Sequence, residues 1–301
     1  MLTAQASANR SLLRRVFFGA TELRSGWRLL IFLALIFALR NGSSQALRQL
    51  LRGADTATVF LVNEVLDFLF FLLASWIMGR LESRNIATYG LPWRRMFRLQ
   101  FWQGVFVGFA SITVLLVVMR GFGVFHFAGI ALHGADVSKW GILYAFVFVL
   151  VGLREEFRDR GYALFTLSTG VGFWPAALIS AAYFGYSHHT NSGENWIGLC
   201  NAGVFGLFAC LLLRRTGDLW MPIGAHMAFD WGETYFYGVA DSGHVAPGHL
   251  LNTSSSGPVW LSGGTVGPEG SVLCTAVLVI AAVACAFWLP TAKYPQLNRP
   301  G

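Results

Sequence analysis

Apolar segments of about 20 residues, the length a helix needs to cross the hydrocarbon of a bilayer, recur along the whole chain. So much apolar surface cannot be buried inside one soluble core of 301 residues. The composition agrees: 55% of residues are hydrophobic, 12% are charged, and the mean hydropathy is +0.55. The expected fold is all-α, a polytopic transmembrane helical bundle of about eight spans.

The spans are expected at 26–46, 57–78, 101–119, 138–166, 173–189, 196–213, 219–239 and 271–289. The first is the weakest signal, because only Leu29 to Leu39 is continuously apolar. Residues 1–25 contain Arg10, Arg14, Arg15 and Arg24 among apolar residues without a cleavage-site pattern, and read as a basic membrane-surface segment. By organisation the chain divides into that segment, amino-terminal helices at 26–135, a polar-rich helical core at 136–240, and a Gly/Ser/Pro-rich extracytoplasmic loop with the last helix at 241–301.

The net charge is +7, but the arginines are spread over short connections rather than gathered into one patch, so orientation in a membrane explains them better than nucleic acid. Placing the arginine-rich connection 80–98 in the cytoplasm puts fourteen of the 22 Lys and Arg residues inside and five outside, with both termini cytoplasmic. A multi-pass protein of the cell membrane is expected, with membrane lipid as its surroundings and no nucleic acid as a partner. No GxGxxG or P-loop pattern supports nucleotide binding. The four cysteines, Cys200, Cys210, Cys274 and Cys285, sit in apolar stretches without CxxC spacing and read as packing residues.

Ionisable side chains at membrane depth are costly and face one another or a water-filled cavity, so each is a site candidate. The densest set is the run Arg154-Glu155-Glu156-Phe157-Arg158-Asp159-Arg160, which follows an apolar helix and precedes more apolar residues. On a helix Glu156 and Arg160 are four apart and share a face, with the carboxylate on the favourable amino-terminal side. Glu155 points about 100° away. Glu156 can therefore be tied to Arg160 while Glu155 faces a cavity as an acid or base; a solvated helix end is the plainer alternative.

Other candidates are Glu64 with Asp67, His188 with His189, and His226 with Asp230. Counting back from the turn near 168–172, Glu155 and His188 lie about 20 and 22 Å along two antiparallel helices, so they are level. A carboxylate and an imidazole at one depth can jointly deprotonate a water. His226 and Asp230 are again four apart, so Asp230 can hold the tautomer and direction of the ring. Glu64 and Asp67 read as a polar packing pair lining the same cavity.

With these residues in place, 150–235 resembles the CPBP family of intramembrane proteases, which includes the type II CAAX prenyl endopeptidases and the Abi or bacteriocin self-immunity proteins. The family's Glu-Glu-x-x-x-Arg with a following Gly is matched by Glu155, Glu156, Arg160 and Gly161, and its Phe-x-x-x-His by Phe184 and His188. Its third motif is matched by Arg215-Thr216-Gly217-Asp218-Leu219-Trp220-Met221-Pro222, then His226 and Asp230. There are two departures: Asp159 stands where the family usually has an aromatic or apolar residue, and Asp230 where the prenyl-endopeptidase branch often has Asn.

The resemblance implies hydrolysis of a peptide bond in a membrane-associated or prenylated protein or peptide. In that reading Glu155, assisted by His188, activates water, Glu156 is fixed by Arg160, Phe184 packs beside His188, and His226, held by Asp230, donates to the oxyanion. No cofactor is required. The alternative within the class is a zinc enzyme using His188, His226 and a carboxylate from Glu155 or Asp230, although no HExxH is present. A non-proteolytic membrane scaffold or immunity protein is the rival from another class, with a transporter behind it. Asp159, one turn from Glu155, is expected to oppose ionisation of both carboxylates.

Overall fold

A computed structural model describes residues 14, 16–19 and 22–295, and places each expected span in a helix. The helices are α1 (Ser25–Leu50), α2 (Thr56–Leu81), α3 (Leu99–Gly121), α4 (Ala135–Arg160), α5 (Tyr162–Val171), α6 (Phe173–Ser187), α7 (Trp196–Thr216), α8 (Trp220–Trp231) and α9 (Val272–Trp288). By length and apolar composition α1, α2, α3, the 37-residue stretch Ala135–Val171 and α7 can each cross a membrane, and α9 is a shorter apolar helix. The protein is a multi-pass helical membrane protein. Most of the expected segment 1–25 lies outside the described residues.

Two spans differ from expectation. The fourth does not run unbroken to 166, because Gly161 separates α4 from α5. There the backbone turns so tightly that a Cβ would lie 2.4 Å from the Phe157 carbonyl oxygen. Only glycine fits, and the charged run therefore ends a helix inside the bundle. The seventh span ends its α-helix at Trp231 and continues as a π-helical stretch, Gly232–Tyr237.

The loop after it is more ordered than its composition suggests. Its strand β2 (Leu251–Ser255) pairs antiparallel with β1 (Phe125–Ile130), from Phe125 opposite Ser255 to Ile130 opposite Leu251. Leu-Asn-Thr-Ser-Ser carries no alternating apolar pattern, so nothing local marked it as a strand.

The closest helix contact is between α3 and α8. A Cβ on Gly104 would lie 2.1 Å from the Met221 carbonyl oxygen, and one on Gly108 would lie 2.0 Å from that of Ala225. Small residues one turn apart let two backbones touch, the usual way helices pack where lipid offers no hydrophobic drive. α4 packs on the other side of α8, where the fully buried Ile223 faces Gly152. His226 is thus held between α3 and the charged end of α4.

Candidate active site

Every charge in the 154–160 run has a partner, which is how the run can lie inside an apolar bundle. Glu156 and Arg160 pair at 2.8 Å with both side chains fully buried. The Arg160 guanidinium lies over the Phe184 ring, 4.7 Å from its centroid, and its Nε donates to the Gly206 carbonyl at 3.3 Å. Arg154 donates to Glu64 of α2 at 2.5 Å and to Glu155 at 2.6 Å. Arg158 donates to both oxygens of Asp159, at 2.9 and 2.8 Å.

α8 brings His226 onto this face. Its Nδ1 lies 2.8 Å from Glu156 Oε1, and its Nε2 lies 3.5 Å from both Glu155 Oε2 and Asp230 Oδ2. An ionised carboxylate only accepts, so Nδ1 donates to Glu156, and Nε2 is the nitrogen left to exchange a proton. The rings of Phe205 and Phe184 meet the imidazole edge-on, with centroids 5.0 and 6.0 Å away. They exclude water from its flanks, while Glu155 and Asp230 keep 12% and 10% of their side-chain surface exposed.

His188 caps the end of α6. Its Nδ1 donates to the Phe184 carbonyl at 2.7 Å, and its ring packs against that of Phe184 with centroids 4.7 Å apart. Among the described residues no hydrogen bond joins it to Glu155.

Several expected pairings are replaced by others. Glu156, not Asp230, holds Nδ1 of His226, because the crossing of α4 and α8 puts the ring against the buried ion pair and leaves Asp230 on the Nε2 side. Asp159 does not confront Glu155: Arg158 neutralises it, and its backbone carbonyl accepts from Ser180 at 3.1 Å. Glu64 and Asp67 are not a pair. Three positions apart on α2, they reach different helices, Glu64 to Arg154 and Asp67 to Arg40 at 3.0 and 2.6 Å. His189 is exposed, stacked on Tyr186, and plays no part in the cluster. Arg154, a member of the charged run with no role expected of it, bridges Glu64 and Glu155; Phe205 is not foreseen, because nothing distinguishes it within an apolar span.

The zinc set fits poorly. Among the described residues, the donor atoms of His188, His226 and either Glu155 or Asp230 do not meet within one coordination sphere. The group that does converge is Asp230, Glu233, Asp241 and Glu269, with ligand oxygens all within 4.8 Å of one another. Burial raises the carboxyls of Asp241 and Glu269 above the usual carboxylate range.

A helical membrane protein with a buried imidazole held between carboxylates from two helices is the class that this fold and site define. Residues 136–232, about a third of the chain, match the family model described as type II CAAX prenyl endopeptidase Rce1-like. That match supports a CPBP-family protease, an intramembrane hydrolase of the CAAX type in general terms. No curated protein and no solved structure matches the chain significantly.

Proposed function

We propose that the protein is an intramembrane endopeptidase that cuts a peptide bond in a prenylated or otherwise membrane-associated protein or peptide. One observation carries this reading: Glu155 faces Nε2 of His226, whose other nitrogen is fixed by the buried Glu156–Arg160 pair. Glu155, with His188 close by, takes a proton from water. The water oxygen attacks the scissile carbonyl carbon, and the C=O electron pair moves onto oxygen, where the Nε2–H of His226 donates to it. Collapse of this intermediate breaks the C–N bond, and the proton held by Glu155 goes to the departing amine. Asp230, on the Nε2 side, favours the ring form that carries the donated hydrogen.

The metal-free route stands ahead of the zinc route because the donors of the zinc set do not converge. The arginine bias supports an arrangement with both termini in the cytoplasm. The test is cleavage of a farnesylated peptide by the purified protein in lipid vesicles, with metal analysis and chelation in parallel. Cleavage that survives complete chelation and is abolished in His226→Ala supports the proposal. Stoichiometric zinc lost together with activity would reverse the order of the two routes. A phenotype in cells that persists when Glu155 and His188 are both replaced would point instead to a scaffold.

A further inference from the structure

Four acidic side chains from three pieces of chain meet where α8 ends. Asp230 comes from the last turn of α8, Glu233 from the π-helical stretch, Asp241 from the loop beyond, and Glu269 from the short turn Pro268–Gly270 before α9. Among the described residues, no Lys or Arg pairs with any of them, and the one imidazole contact is His226 Nε2, 3.5 Å from Asp230. Glu233 is fully buried, and neither of its carboxylate oxygens has a hydrogen-bond partner. A buried carboxylate with both oxygens unpartnered, facing three more carboxylates, has to be completed by a cation, a proton or a water, and with four such groups converging a cation satisfies them together.

The surrounding framework is held by hydrogen bonds. Asn201 of α7 donates to the carbonyls of Glu269 and Ser271 at 2.6 and 2.8 Å, fixing the turn that carries Glu269. Ser242 donates to Glu269 Oε2 from both its backbone N–H and its hydroxyl, each at 3.1 Å, and Thr234 donates to Asp241 Oδ2 at 3.0 Å. These bonds orient two of the carboxylates and leave Glu233 to be satisfied.

We propose that Asp230, Glu233, Asp241 and Glu269 bind one divalent cation of the oxygen-preferring class, with calcium the best match. Calcium takes six to eight oxygens at about 2.3–2.6 Å, so two ligands on opposite sides of it stand about 4.8 Å apart. All four donor atoms lie within that span of one another. The set contains no thiolate or imidazole, the donors that favour zinc. The remaining positions fall to water, since Asp241 and Glu269 are only half-buried. The site lies at the opposite end of α8 from Asp218 and Arg95, whose 3.1 Å ion pair marks the arginine-rich connection. It does not depend on the proteolytic reading, but it shares Asp230 with it. A bound cation would draw Asp230 away from His226 Nε2, so its occupancy would set how tightly that ring is held.

The test is calorimetric titration of the purified full-length protein with calcium, with thermal unfolding measured at each calcium concentration. One calcium per chain and a rise in Tm of several degrees are expected. Glu233→Gln and, separately, Glu269→Gln should each weaken binding about tenfold or more, whereas Glu22→Gln at the other end of the bundle should not. Loss of calcium binding in Glu269→Gln with helix content unchanged separates loss of a ligand from loss of the fold. The proposal is overturned if the wild-type protein shows neither heat nor a Tm shift, if the two cluster variants bind as it does, or if the cluster takes zinc in preference to calcium. None of these readouts depends on peptide cleavage.

Discussion

Glu156 and His226, seventy residues apart in the chain, meet at 2.8 Å, and the carboxylate oxygen they share also takes the guanidinium of Arg160 at 2.8 Å. The ion pair of α4 is thus the bracket that holds the imidazole of α8. Replacing Glu156 by Gln keeps the size but removes the charge that fixes the Nδ1 tautomer. Turnover should fall about a hundredfold with KM nearly unchanged, as expected for a group that acts through a catalytic ring rather than on substrate. A KM rise with kcat intact would place Glu156 in substrate binding.

Breaking the bracket should also destabilise the fold. Arg160→Leu leaves the Glu156 carboxylate buried without its partner, at a cost of about 3–5 kcal/mol. Replacing both residues by Leu removes both charges and should cost less than Arg160→Leu alone. Denaturant unfolding in detergent measures the cycle, and a double variant weaker than the single one would contradict the pairing.

The contact of α3 with α8 positions His226 from behind. Gly104→Val and Gly108→Val set side chains against carbonyl oxygens about 2 Å from the new Cβ, and should lose at least the ~1–3 kcal/mol typical of overpacking, together with most activity. Gly26→Ala, where a Cβ meets nothing within 4 Å, is the control and should change neither.

At the other end of stability, Asp55 caps α2 outside the membrane. Its carboxylate accepts from the Thr58 backbone N–H at 3.0 Å and from the Thr58 hydroxyl at 2.7 Å, and these bonds, the backbone one foremost, hold its carboxyl below the ordinary value. A folded value below the unfolded one gives stability that is present above the unfolded value, near pH 4, and lost as pH falls through the folded value. The Tm of the wild-type protein should therefore drop more steeply below about pH 4 than that of Asp55→Asn, which keeps the acceptor without the charge. Parallel Tm–pH curves would assign the acid sensitivity to other groups.

Helix periodicity and apolar length made the bundle readable, and i, i+4 spacing put Glu156 with Arg160 and brought His226 near Asp230. Which carboxylate would take Nδ1 was not readable, because it depends on how α4 crosses α8, and that is set by Gly152 meeting Ile223 rather than by any motif. Arg154 illustrates the same limit: its partner Glu64 lies ninety residues away on another helix. The acidic cluster was hidden for a different reason. Asp241 and Glu269 lie in a loop whose course follows from a two-stranded pairing and from the side-chain amide of Asn201, neither of which has a local signature.

The central claim is that Glu155, set against His226, activates the water that hydrolyses the peptide bond. The most direct test is the single-turnover rate of farnesylated-peptide cleavage in vesicles by Glu155→Gln, with the cut site read by mass spectrometry and folding checked by thermal unfolding. A fall of about a hundredfold or more at unchanged Tm is the predicted result. Cleavage of the same bond at the wild-type rate would contradict it.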